Sequence, residues 1–458
     1  MKVKRRRRRA LSVILLTVLL VSSISGCGIM KTGNNGDGVL TIHMHFFGTN
    51  VFNDDWPVFK KAEEITGVKL KGTASSVQSD SSQAYSNMLV EGKLPDIVHY
   101  IGTELSTLGM QGGLIPLEDL IDKYAPNIKK AFEESPKMKK LATAADGHIY
   151  YIPGSLSGID RAAVPSQGWF IRQDWLDKLG LKIPTTVQEY YETMKAFKEK
   201  DPNGNGIADE IPIFSRTGNV DFLYPLFGVN AGWYIKDDGT LGFGAIEESY
   251  KNAVIEIAKW YKEGIIDSEI FTRGGQAREQ LLSRNLGGST HDWFSSTGGY
   301  NDSFSGEVEG LNFVPFAPPA DINGKVAEIS SRNVFHTMGW GISKDNDDVE
   351  TTIKYFDFWM SEKGRELNAY GVEGIHNKVV NGKRVYTDTV LKAKEGVSKY
   401  LRNQGAILEI GTIGSLEAEL SGMNKIARSG FEMYDEGGYV LPQIVVPQFT
   451  KEEQDVID

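Results

Sequence analysis

Between Asp201 and Pro212 the chain reads Asp-Pro-Asn-Gly-Asn-Gly-Ile-Ala-Asp-Glu-Ile-Pro. Side-chain oxygens fall at the first, third, fifth and ninth places, in Asp201, Asn203, Asn205 and Asp209, and Gly206 stands sixth. Alternate residues of such a loop turn their oxygens inward, the glycine makes the sharp turn, and the seventh residue, here Ile207, offers its carbonyl. That is the spacing of a calcium loop. Two features depart from an EF-hand. Pro212 stands where a bidentate Glu is usual, with Glu210 two residues earlier, and a proline there argues against a helix running straight out. The loop reads as a structural calcium clip; without metal, the same residues would make a polar turn. No comparable signature of catalysis is present. The chain lacks a Gly-x-Ser-x-Gly elbow, a His-Glu-x-x-His helix, a Walker loop and a dinucleotide fingerprint. Asp54-Asp55 and Asp237-Asp238 are sequence neighbours that diverge in direction, whereas a glycosidase pair flanks a bond across a cleft.

The elements that must position this loop are legible as an alternation of strands and helices. Val39–Met44, Val68–Lys71 and Pro95–Tyr100 read as strands, with helices over Asp55–Thr66, Ser82–Val90 and Leu117–Tyr124. Gly147–Pro153 reads as an extended exit strand. A second unit opens with a strand at Trp169–Arg172 and helices over Gln173–Leu179 and Thr186–Glu199, the latter feeding the calcium loop. Tyr250–Glu263 is an amphipathic helix, Gly288–Trp293 a strand end, and Asn312–Pro319 a proline-rich connector suited to a crossing between lobes. Gly339–Ser343, a helix over Asp347–Trp359 and a helix over Gly414–Arg428 complete the order. The alternation predicts mostly parallel sheets covered on both faces.

At 458 residues the chain is too long for one core and implies two or three domains. Residues 1–26 carry a basic n-region and a short apolar run, Ala10–Val21, as an export signal does. Ile24-Ser25-Gly26-Cys27 then fits a bacterial lipobox, so Cys27, the sole cysteine, is the expected acylated first residue of the mature protein. Two or more acyl chains anchor firmly where one does not. Lys31–Gly38 follows as a flexible tether. Without residues 1–26 the chain has 43 Lys and Arg against 60 Asp and Glu, a formal charge of −17. Such a surface does not favour nucleic acid. The expectation is a body tethered outside the cytoplasmic membrane.

Several stretches carry a resemblance. Phe52, Trp56 and Phe59, Glu91-Gly92-Lys93-Leu94-Pro95-Asp96, Gly147–Pro153 and Trp169–Gly180 together resemble the extracellular solute-binding proteins of family 1, receptors of bacterial ABC sugar importers. Asp201–Pro212, Gly339–Ser343 and Gly371–His376 are similar to the calcium-containing subgroup that includes alginate-oligosaccharide-binding proteins. The resemblance implies an α/β, two-lobe, type II periplasmic-binding-protein-like fold with a ligand cleft between lobes that close by a hinge motion. The first lobe would comprise 39–153 and 320–378, the second 154–319 and 379–458. A monomer that passes an oligosaccharide to the transmembrane subunits of an ABC permease would follow. A carboxylate-based glycosidase or lyase, or a surface sugar sensor or adhesin, fits the same fold.

A pyranose presents apolar C–H faces and a rim of hydroxyls, which call for aromatic faces beside Asp, Glu, Asn and Arg side chains. Asp292-Trp293, ending a strand in a glycine-rich setting, is the leading pair, and in the resembling family an aromatic here stacks on sugar. Trp340 lies between two glycines, where close backbone approach suits a cleft lip. Glu373 and His376 sit on a glycine-flanked loop, Trp169 and Arg172 share a strand, and Asn50 follows the first strand. Each has a bland counterpart: a core Trp, a solvated loop carboxylate, a strand anchor.

Overall fold

The computed structural model describes residues 38–441, apart from 47–49, 79, 156, 160–162, 237, 305, 330 and 333. The signal, Cys27, the tether before Gly38 and Asp237 therefore lie outside the described residues. Among the described residues no helix is long and apolar enough to cross a membrane.

The first lobe is built on the strand Val39–Phe46, whose run of apolar residues and histidines is buried from Ile42 onward. Lys69–Gly72 and Ile97–Ile101 pair parallel with it. Phe335–Ile342 then joins Ile97–Ile101 antiparallel, and Ile152–Ser155 closes that edge, also antiparallel. The sheet is therefore mixed, not mostly parallel. Residues returning from the other lobe enter it from the opposite end, and a strand that re-enters from that end runs against its neighbour. The helix Pro57–Thr66 covers the sheet with Val58, Phe59 and Ala62, and stops at Gly67, whose φ of 74° is open to a residue without a Cβ.

The second lobe holds a four-stranded sheet in the order Phe313–Phe316, Gln167–Arg172, Gly287–Trp293, Ile211–Ile213. The proline-rich connector is thus an edge strand of this sheet. Pro315 is tolerated there because one side of an edge strand needs no donor. The central strand Gly287–Trp293 is narrow for a reason: a Cβ on Gly288 would come within 2.9 Å of both Phe197 and the Pro212 carbonyl. That closeness lets the helix Val187–Glu199 press against the sheet through Tyr190, Met194 and Phe197, spaced to share one face. Thr186 caps the helix by accepting from the Glu189 N–H at 3.2 Å.

Among the described residues, three segments join the lobes. The chain leaves the first lobe after Ser155; Val164–Pro165 pairs with Ser331–Arg332 on the return; and residues near Ile413 pass across again beside Ser155. Arg332 Nη2 donates to Glu419 at 2.6 Å, and Ser157 Oγ donates to the same carboxylate at 3.1 Å. One carboxylate so ties all three crossings together.

The core contacts move the expected lobe boundaries. Tyr386, Val390, Leu401, Leu408 and Ile413 pack in the first lobe's core, so that lobe runs well past 378. Ile322 donates its N–H to the Leu226 carbonyl at 3.1 Å, which keeps the segment after 320 with the second lobe. The helix expected over 414–428 is two, Leu416–Gly422 and Lys425–Glu436. Asn424 caps the second by accepting from the Ala427 N–H at 2.8 Å, which breaks the run.

Candidate functional site

Ligands of α/β proteins sit beyond the carboxyl ends of the strands. In the second lobe the central strand ends at Trp293, 37% exposed and beginning the short helix Phe294–Thr297. The Phe294 N–H donates to the Ser166 carbonyl at 3.1 Å, which sets this strand end beside a crossing segment. Asp292 does not face solvent; it is 2% exposed and takes Arg216 Nε at 2.8 Å and Arg278 Nη1 at 3.1 Å. Its Oδ1 also accepts the Trp293 N–H at 2.7 Å. A buried carboxylate is tolerated only when so paired. Asp292 therefore fixes the backbone under Trp293 and holds Arg216, which remains partly exposed beside it. Sequence spacing gave no sign of either arginine, since the trio joins positions 216, 278 and 292.

In the first lobe Asn50 opens a two-residue strand opposite Phe46, at the carboxyl end of Val39–Phe46, and is exposed. A pocket opens at that same end, lined by Phe46, His99, Met338, Arg402, Ile407 and Glu409. His99 Nε2 donates to the Glu409 carbonyl at 2.9 Å. None of these pocket residues was singled out from the sequence.

Four other expected ligands serve the fold. Trp340 is fully buried, stacked on Phe356 at 4.5 Å with planes 6° apart, because its side of the strand faces the helix Val349–Met360. The flanking glycines admit the neighbouring strand, not a ligand: a Cβ on Gly339 would lie 2.4 Å from the Ile152 carbonyl. Trp169 is core as well, edge-on to Tyr190 at 5.1 Å and to His291 at 5.3 Å. Arg172 is buried, bound to Asp174 and Asn285 and lying over the Trp175 ring. His376 is fully buried, accepts the Val372 N–H at 2.9 Å, and burial lowers its pKa. It is the peg of a turn whose Gly371, at φ 71°, leaves no room for a Cβ. Glu373 is exposed, and its carboxylate is engaged by Arg384 at 2.9 Å.

The loop 201–212 is a tight turn closed by its own side chains. Asp201, Gly204 and Gly206 take positive φ, of 49°, 75° and 78°. Asp201 accepts the N–H groups of Gly204, Asn205 and Gly206, while the Asn203 and Asn205 amides donate to Asp209 at 3.0 and 3.1 Å. Among the described residues no three acidic, His or Cys side chains converge as a metal centre. One observation nonetheless fits a cation. Glu210 is fully buried, and neither carboxylate oxygen has a hydrogen-bond partner. Burial pushes its pKa up, the adjacent backbone N–H groups of Glu210 and Asn203 pull it back in part, and the nearby charges of Asp201 and Asp209 add to the rise. A buried carboxylate without donors is costly unless a cation meets it. Lys198 Nζ donates to the Glu210 carbonyl at 2.9 Å and Lys178 Nζ to the Pro202 carbonyl at 2.9 Å, pinning the loop to two helices.

Two lobes, each with a mixed sheet, joined by three crossings with exposed groups at the strand ends, define a type II periplasmic-binding-protein-like receptor fold. The chain belongs to the bacterial extracellular solute-binding proteins, whose family model matches residues 51–366. Among individual proteins, it is similar to the fructooligosaccharide ABC transporter substrate-binding protein FusA of Streptococcus pneumoniae serotype 4. The two are 32% identical over 351 residues, 69% of this chain and 60% of that protein. It is 26% identical over 330 residues to the polygalacturonan/rhamnogalacturonan-binding protein YtcQ of Bacillus subtilis, covering 69% of this chain and 62% of that one. The crystal structure of alginate-binding protein AlgQ2 without calcium ion matches with a TM-score of 0.81 at 37% identity, over 92% of this chain and 86% of that chain.

Proposed function

We propose that this protein captures an oligosaccharide between its lobes and delivers it intact to an ABC permease, held at the extracytoplasmic face of the cell membrane by acylated Cys27. The observation that carries the reading is Trp293: a large aromatic left partly exposed at the carboxyl end of a central strand, on backbone fixed by the buried Asp292. Its face suits the C–H face of a sugar ring, and Arg216 beside it suits hydroxyl or acidic oxygens. Asn50 stands at the equivalent end of the first lobe's sheet. The binding roles that the bacterial relatives' names state, for fructooligosaccharide, polygalacturonan and alginate, agree with this reading.

No bond is made or broken. Contacts from both lobes exist together only in the closed form, so ligand shifts the population toward closure by its extra affinity for that form. The Glu419 knot at the three crossings is the part of the chain that such a motion must turn about. The permease would read the closed shape, and a single copy suffices for this role. Calcium, where bound, would be held by Asp201, Asn203, Asn205, Asp209, Glu210 and the Ile207 carbonyl, and would supply charge and stiffness to the loop. The test is tryptophan fluorescence of residues 28–458 against neutral and uronic oligosaccharides, with the sugars analysed afterwards. Saturable shifts with intact sugar are expected; cleaved sugar would make the protein an enzyme.

A further inference from the structure

We propose that Phe222 is a second sugar-stacking ring beside Trp293, and that the buried pair His291 and Glu328 positions it. This rests on the receptor reading above and enlarges its site from one aromatic ring to two.

Phe222 reaches the site on a loop whose path is fixed at each step. The strand Ile211–Ile213 runs parallel to Gly287–Trp293, so both end on the same side of the lobe, where ligands of such sheets sit. Thr290 Oγ1 donates to the Phe214 carbonyl at 2.7 Å and holds the start of the loop against the central strand. Ser215 Oγ accepts the Thr217 N–H at 3.1 Å. Asn219 Oδ1 then accepts from the Thr217 hydroxyl at 3.2 Å and from the Asp221 N–H at 3.3 Å. The loop thereby sends two side chains to successive residues of one strand end. Arg216 goes to Asp292, and Phe222, in the short helix Asp221–Phe227, goes to His291. Alternate residues of a strand share a side, so Phe222 stands over the side that carries both His291 and Trp293.

Phe222 is the most exposed ring of a group of three. Trp169 and His291 are buried, at 3% and 7% exposure, while Phe222 is only partly buried. It lies parallel to His291, with planes 9° apart and centroids at 6.0 Å, and edge-on to Trp169 at 5.7 Å. Trp293 follows His291 by one step on the same side, roughly 7 Å along the strand. Two rings at one strand end offer stacking faces to two residues of a sugar chain.

A supporting ring that only filled space would be a hydrocarbon. Here it is a histidine whose Nε2–H donates to the Glu328 carboxylate at 2.8 Å, with the two side chains 4% and 3% exposed. Burying such a pair is costly, and apolar packing would do as well for stability. Its effect is to fix the imidazole's tautomer and plane, and so the surface on which Phe222 rests. Glu328 is itself held by its backbone: its N–H donates to the Tyr439 carbonyl at 2.8 Å, and its carbonyl accepts the Leu441 N–H at 2.9 Å. Three residues later, at Ser331–Arg332, the chain enters the return crossing. The two rings are therefore tied to a segment that joins the lobes.

The experiment is isothermal titration of residues 28–458 with a fructan tetrasaccharide and a galacturonate tetrasaccharide, repeated with Phe222→Ala, Phe222→Leu, Phe222→Tyr and Glu328→Gln. For whichever sugar the parent binds, Phe222→Ala should weaken binding about tenfold and Phe222→Tyr should keep it. Phe222→Leu retains apolar bulk without a flat face; it should melt close to the parent and still lose most of that affinity. Glu328→Gln should weaken binding severalfold in the parent and add nothing when Phe222 is already Ala, as a residue acting through another does. A Phe222→Leu protein that binds at full strength overturns the second ring and leaves the receptor reading standing. Equal losses from Glu328→Gln with and without the Phe222 ring overturn the positioning role. Silence of the parent toward both sugars counts against the receptor reading and the second ring alike.

Discussion

Glu210 offers the sharpest test of the calcium loop, through chelation and the single change Glu210→Gln. The carboxylate is fully buried, with both oxygens lacking donors. The effective penalty for an unpaired buried ion is several kcal/mol. A divalent cation removes that penalty, and only the folded loop gathers the ligands. A ligand specific for the folded state, at a hundred times its dissociation constant, stabilises by about 2.7 kcal/mol. For a lobe of this size each kcal/mol moves the melting point by about 2–4 °C, so calcium should raise the second lobe's transition by roughly 5–10 °C over chelator. Glu210→Gln keeps the shape and removes the charge. Without calcium it should melt higher than the parent, and most of the calcium increment should vanish. Scanning calorimetry in chelator and in millimolar calcium reads both effects. Identical parent curves in the two buffers would refute the reasoning, as would a Glu210→Gln protein that gains as much from calcium as the parent.

Trp293→Ala should weaken oligosaccharide binding at least tenfold, about 1.4 kcal/mol, with the melting temperature little changed; full-strength binding by isothermal calorimetry would remove the stacking role. Trp340→Ala should do the opposite, destabilising the fold by about 3–5 kcal/mol in urea while the protein that remains folded keeps its sugar affinity. Burial, with the charges of His45 and His99, lowers the His43 pKa from 6.5 to about 4. The folded form therefore prefers neutral His43, and the stability this gives is complete above pH 6.5 and lost as pH falls toward 4. The linkage is worth up to about 3 kcal/mol. Urea unfolding of parent and His43→Gln between pH 7 and 4.5 should show the parent losing more; parallel pH profiles would contradict it.

What the sequence determined by itself is what depends on near neighbours. The loop 201–212 took its left-handed turns because glycines and Asx residues decide backbone conformation over four or five positions. Helices such as Val187–Glu199 followed from a cap and a 3.6-residue apolar period, and the order of strands and helices carried the family. What needed the tertiary structure was the environment of each candidate. Trp293 and Trp340 look alike in the sequence, each near glycines in a strand. One is the last residue of its strand and stays partly exposed, while a helix formed by Val349–Met360 covers the other. Asp292 looked like a hydroxyl acceptor until Arg216 and Arg278 arrived on it from other segments. The first lobe's pocket had no local signature, because it joins residues near 46, 99, 338 and 402–409. Whether a polar group is free for a ligand depends on which distant groups fold against it, and that is fixed only when the chain closes on itself.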